Sequence, residues 1–126
     1  MSEYIVNLAG FGIDDDTIAS LDNKGLQIKK RGDVWNSRTG KKYPENIISI
    51  SCDTSYEKGF GPIIDEIINK LKSSQSLLDT FEKCNYVELQ IWASLDVDYH
   101  VPSIHISLEQ MKFLAKINAN IDIDIY

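Results

Sequence analysis

Hydrophobic and polar positions alternate with two periods along this chain, and the changes between them divide it into elements. Residues Ile121-Asp122-Ile123-Asp124-Ile125-Tyr126 repeat every second position, which predicts a strand with one face buried and Asp122 and Asp124 on the other. Tyr86 to Leu95 follows the same rule over a longer stretch. Val87, Leu89, Ile91, Ala93 and Leu95 share one face, and Tyr86, Glu88, Gln90, Trp92 and Ser94 share the opposite one. Tyr4 to Ala9 predicts a first strand, broken by Gly10 and Gly12, and Leu26 to Val34 a second, interrupted near Gly32. The almost continuously apolar Ile47, Ile48, Ile50 and Cys52 predict a central third strand. A further strand is expected near Val101 to Ile106, after a turn around Asp96 to Tyr99.

Helical spacing appears in four places. Asp14 is suited to cap a short helix over 15–21, with Asn23-Lys24-Gly25 as its stop. Ile63, Ile64, Ile67, Ile68 and Leu71 predict the clearest helix, with Pro62 at its first position. A shorter helix carries Leu77, Leu78 and Phe81. Ser107 and Gln110 form a capping box for the last one, whose core face is expected to be Leu108, Met111, Leu114, Ala115 and Ile117. The order β-α-β-β-α-β-β-α-β implies an α+β fold, a two-layer sandwich with a largely antiparallel sheet and helices on one face. A ferredoxin-like relative is the nearest named architecture.

Composition narrows the class. With 126 residues the expectation is a single domain over 1–126. No apolar run reaches the roughly 20 residues a membrane helix needs, and the start lacks signal-peptide features, so a cytoplasmic protein is expected. Cys52 and Cys84 lie far apart without CxxC spacing and read as free thiols in a reducing compartment. Net charge is −6, which disfavours general nucleic-acid binding because the phosphate backbone is repelled.

Charge is also segregated. Lys29, Lys30, Arg31, Arg38, Lys41 and Lys42 bunch around Trp35 and Tyr43, a candidate anion-binding region. Acidic residues gather at Asp14 to Asp16, at Asp96 and Asp98, and at Asp122 and Asp124. Together with His100 and His105 the last four have the donor types of a metal site, but alternating aspartates on an exposed strand are better read as solvation and protection of an edge. No nucleophile motif accompanies either histidine, and Gly10-Phe11-Gly12 lacks both a third glycine and a Walker lysine. No catalytic residue, metal or cofactor is therefore expected.

Two segments carry a resemblance. Lys29-Lys30-Arg31-Gly32-Asp33 precedes a loop, Tyr43 and a strand. Ser107-Leu108-Glu109-Gln110 opens a helix containing Leu114-Ala115, and an acidic strand ends at Tyr126. In these features the chain resembles the bacterial family called domain of unknown function number 4279. It departs from that family's pattern at Ile47-Ile48-Ser49-Ile50, where a tryptophan is common. The resemblance implies a compact cytoplasmic bacterial domain without assigned chemistry, and it brings no catalytic residues.

Small size, acidity and the lack of a catalytic motif lead to a functional expectation. The chain reads as a non-enzymatic immunity protein that neutralises a cognate, basic, nuclease-type toxin through Glu88, Trp92, Asp96, Asp98, Asp122 and Asp124. A protein partner is thus expected, with no nucleic acid or membrane, and a monomer or homodimer. The alternative is an accessory domain binding a small anion at Lys29, Lys30, Arg31, Lys41 and Lys42.

Overall fold

A computed structural model describes residues 3–21, 25–53, 59–94 and 103–125. Its elements are β1 (Glu3–Phe11), α1 (Asp15–Ser20), β2 (Gln27–Lys29), β3 (Val34–Asn36), β4 (Lys41–Lys42) and β5 (Ile47–Asp53). There follow α2 (Phe60–Lys72), α3 (Gln75–Glu82), β6 (Tyr86–Ser94), α4 (Leu108–Lys116) and β7 (Ala119–Ile125). Five strands form one sheet in the order β2-β5-β1-β6-β7, and β3 pairs with β4 in a separate hairpin. The pairs β2–β5, β5–β1 and β1–β6 are antiparallel, whereas β6–β7 is parallel. The fold is α+β with a mixed sheet. This strand order does not confirm the ferredoxin-like relation expected from the element order.

The buried face of the sheet follows from the period of two. Val6, Leu8, Ile48, Ile50, Leu89 and Ile91 are all but inaccessible, and register sets them side by side. All four helices feed the same core cluster, through Ile18, then Phe60 to Leu71, then Phe81, then Phe113, Leu114 and Ile117. Helices therefore cover one face only. Tyr4 and Phe60 lock the layers together, with ring centroids 4.4 Å apart.

Several sequence expectations are corrected. Strand β1 runs through Gly10 to Phe11, because Gly10 pairs with both Ile48 and Val87. The expected second strand divides into β2 and β3 at a turn where Gly32 has φ +91° and the Asp33 N–H donates to the Lys30 carbonyl. Part of the expected loop, Lys41–Lys42, is instead strand β4. Helix α2 starts at Phe60 rather than Pro62, so Pro62 occupies the third helical position, still within the first turn, where an N–H has no intrahelical partner. Residues 103–107 form no strand; 101 and 102 lie outside the described residues, as do 22–24 and the turn expected over 96–99.

The last helix departs in part from its expected orientation: Leu114 and Ile117 are buried as expected, but Leu108, Met111 and Ala115 are exposed, and Gln110 and Phe113 are buried in their place. The cause is Gln110, whose Nε2 donates to the Gly61 carbonyl and to Asp65 Oδ1, each at 2.9 Å. Its Oε1 accepts from the Ser107 N–H at 2.9 Å, so one side chain both closes the capping box and fastens α4 to the start of α2. Gln110→Ala is expected to lower stability by about 2 kcal/mol, because three hydrogen bonds of a buried side chain and half of the capping box are lost together. Urea denaturation measures it; a loss within error of zero would show the link to be dispensable.

Candidate functional site: the uncovered sheet face

The face of the sheet away from the helices carries Gln27 and Lys29 from β2, Ile5, Asn7, Ala9 and Phe11 from β1, and Ile47, Ser49 and Ser51 from β5. From β6 come Tyr86, Glu88, Gln90 and Trp92, and from β7 Asn120, Asp122 and Asp124. Register arranges them in rows across the strands: Ile5–Trp92–Asp124, Ser51–Asn7–Gln90–Asp122, Ser49–Ala9–Glu88–Asn120 and Ile47–Phe11–Tyr86. No helix among the described residues lies over Trp92, which is half-buried by its neighbours on the sheet; Ile5 and Tyr86 are exposed.

A continuous hydrogen-bond chain holds the middle of this face. Ser51 Oγ donates to Asn7 Oδ1 at 2.7 Å, and Asn7 Nδ2 donates to Gln90 Oε1 at 2.9 Å. Gln90 Nε2 donates to Glu88 Oε1 at 3.0 Å, and the Tyr86 hydroxyl donates to Glu88 Oε2 at 2.8 Å. Both oxygens of Glu88 are thereby fixed, and its bond with the Tyr86 phenol raises the pKa of that phenol. Phe11 and Tyr86, with ring centroids 5.9 Å apart, close one end of the surface. Trp92 and Ile5 close the other.

Two carboxylates flank this network, and the cation described on this face, Lys29, stands on β2 at the opposite edge of the sheet. Asp124, two positions along the same strand face, raises the pKa of Asp122; desolvation and Glu88 add to the effect. A carboxyl whose folded pKa lies above its unfolded one is destabilising while charged, and the strain is relieved as pH falls through the folded value. Asp124→Asn is therefore expected to bring the Asp122 titration down toward the ordinary aspartate range. The melting temperature should rise at pH 7, and the gain should fade as pH falls through the Asp122 titration. Carboxyl-carbon NMR titration with thermal melts measures both; an unmoved Asp122 would refute the coupling.

Of the residues expected to bind a partner, Glu88, Trp92, Asp122 and Asp124 are brought together on this face. Asp96 and Asp98 lie outside the described residues, as does His100. Ile5, Asn7 and Ser51 belong to the surface but were not anticipated. The odd-numbered positions of β1 were the available signal, obscured because β1 is apolar on both faces.

The basic residues do not converge. Lys29 ends β2 opposite Ile47, and Lys41 and Lys42 are successive strand residues, whose side chains point to opposite faces. Lys41 Nζ sits 5.8 Å from the centroid of the exposed Trp35 ring. Arg31 is paired with Asp15 at 3.0 Å. The cleft it borders, about 310 Å³, is also lined by Asp14, Asp15 and Glu45, an unfavourable lining for an anion. Asn46, buried, clamps this corner: its Nδ2 donates to the Ile13 carbonyl and Asp15 Oδ1, and its Oδ1 accepts from the Arg31 N–H.

A cleft of about 530 Å³ lies among Leu21, Leu26, Ile50, Leu77, Lys70 and Thr80, with Ser73, Ser74 and Ser76 also lining it. Three of its four hydroxyls are engaged: Ser73 with the Lys70 carbonyl, Ser74 with the Leu77 N–H, Thr80 with the Ser76 carbonyl. A ligand there would meet few free polar groups to orient it. Neither Cys52 nor Cys84 is disulfide-bonded, and burial pushes the Cys84 thiol up to about 12, well away from a reactive thiolate. Among the described residues no group of three or more His, Cys, Asp or Glu is placed to hold a metal ion, and no helix is long and apolar enough to cross a membrane.

What this arrangement defines is an α+β domain whose uncovered sheet face sets Phe11, Tyr86 and Trp92 beside Glu88, Asp122 and Asp124. Residues 19–126 match the family described as Domain of unknown function (DUF4279), and the chain belongs to that family. No curated protein and no solved structure matches it.

Proposed function

We propose that this protein acts by binding rather than by catalysis, as a cytoplasmic immunity protein that occludes a basic, nuclease-type toxin domain with its uncovered sheet face. The observation that carries this reading is the composition of that face, with Trp92 and Tyr86 beside Glu88, Asp122 and Asp124. Aromatic anchors within a polar surround are the usual energetic centre of a protein interface. Carboxylates set apart from Lys29 attract a nuclease cleft, which is built to receive phosphates, and accelerate the encounter. The Ser51–Asn7–Gln90–Glu88–Tyr86 chain supports the same reading, because side chains already held in place lose less entropy on binding. The anion-binding alternative gains no such support, since its lysines diverge and Arg31 is already paired.

The test is co-expression with the C-terminal domain of the product encoded immediately upstream. That domain should be toxic alone, harmless in the presence of this protein, and should co-purify with it. Absence of toxicity, or toxicity without binding, would overturn the reading.

A further inference from the structure

Strand β7 ends the sheet, and among the described residues no strand pairs with its outer edge. Its isoleucines were expected in the core. They lie on the helix side, in register with Leu89, Ile91 and Ala93, yet Ile121, Ile123 and Ile125 are 41%, 43% and 52% exposed. The cover they lack is lateral. Helix α2 lies over β5 and β1, and α4 lies beside it against β7. Gln110 faces α2, and Met111 is about 100° further round α4. Leu108 and Met111, 62% and 46% exposed, are apolar residues of α4 that are likewise left uncovered. On the opposite side of the same strand stand Asp122 and Asp124.

A free edge with an apolar side and an acidic side specifies what can complete it. We propose that the outer edge of β7 is a docking site for an extended partner segment in which apolar and basic residues alternate. That segment adds to the sheet as a sixth strand. Its backbone takes the open N–H and C=O groups, its apolar residues lie beside the isoleucines, and its lysines or arginines lie beside Asp122 and Asp124. A second copy of this chain fits poorly. Antiparallel pairing of two β7 strands sets either Asp122 against Asp124 of the other copy or each aspartate against an isoleucine. The rise in the Asp122 pKa caused by Asp124 is in keeping with a charge awaiting a cation. This inference rests on the reading above that the partner is basic, and it names the part of that partner which engages the edge.

The probe is a peptide alternating arginine and valine over about seven residues, the length of β7, with a control of equal composition in two blocks. The alternating peptide should bind, slow amide hydrogen exchange in 119–125, and bind about ten-fold more weakly to the Asp122→Asn/Asp124→Asn double variant. Equal binding of the blocked control, protection confined to other strands, or no binding would overturn the proposal. So would dimerisation through β7, seen by ultracentrifugation with exchange mapping. Toxin binding without peptide docking would leave the proposed function standing and remove only the edge site. Peptide docking without toxin binding would do the reverse.

Discussion

Gly10→Ala is expected to destabilise the fold by about 2 kcal/mol through overpacking, although alanine is ordinarily less unfavourable than glycine in a strand. A Cβ at this position would meet Cys84 Sγ at 2.5 Å, with Ile48 Cγ1 and Phe81 Cδ1 each at 3.2 Å. Gly10 is paired on both sides, to Ile48 and Val87, so the backbone cannot withdraw without disturbing two ladders. Phe81 is fully buried and cannot swing away. The yielding neighbour is Cys84, half-buried just beyond the end of α3, its Sγ 3.6 Å from the Thr80 carbonyl. Cys84→Ala alone should cost about 1 kcal/mol by opening a small cavity. Combined with Gly10→Ala it should recover most of the loss, because the new methyl occupies the space the sulfur leaves. Urea denaturation of the four proteins gives the coupling energy; simple additivity would show that the close approach of Gly10 and Cys84 is not what constrains this strand.

The second large effect is functional. Trp92→Ala removes the largest aromatic from the uncovered face and is expected to weaken toxin binding by about 30-fold or more, the range of a central interface anchor. Asp124→Lys, in the same cross-strand row, reverses a charge facing the basic partner and should act mainly by slowing association, with an effect that fades at high salt. Neither side chain belongs to the core, so both variants should remain cooperatively folded, with Asp124→Lys melting no lower than the parent at pH 7 because it removes the repulsion between Asp122 and Asp124. The face and the edge are separable by mutation: Trp92 points away from the helices, whereas Ile123 lies on the helix side.

How much of this was legible in the sequence differs by element. Helix α2 was plain because five apolar residues recur at one helical spacing with charges between them. Strand β6 was plain because its two faces differ in every residue. Helix α4 was half legible: Leu114 and Ile117 are buried as expected, whereas Leu108, Met111 and Ala115, apolar at compatible spacing, are exposed and Gln110 and Phe113 take the remaining core positions. A glutamine gives no apolar signal, and only its tertiary bonds to Gly61 and Asp65 make its burial favourable. Strand β7 was correctly paired in pattern but not in burial. Alternation sets which side a residue faces; whether that side is covered depends on the width of the helix layer, which the pattern does not contain.

The candidate site was half legible. Glu88 and Trp92 share a parity on β6, as Asp122 and Asp124 do on β7, but the register that joins them is a long-range property. Asn7 and Ser51 reveal their role only through hydrogen bonds between strands distant in sequence. The basic cluster was the converse case. Proximity in sequence suggested one site, and the turn at Gly32 with the β3–β4 hairpin disperses it.

The central claim is that the uncovered face binds a basic toxin domain, and calorimetric titration of that domain into the parent protein and into the Trp92→Ala/Asp124→Lys variant tests it most directly. The account predicts tight binding to the parent and a loss of about 100-fold or more in the variant, the combined effect of an aromatic anchor and a reversed charge. Equal affinity for both proteins, or no binding to the parent, would contradict it.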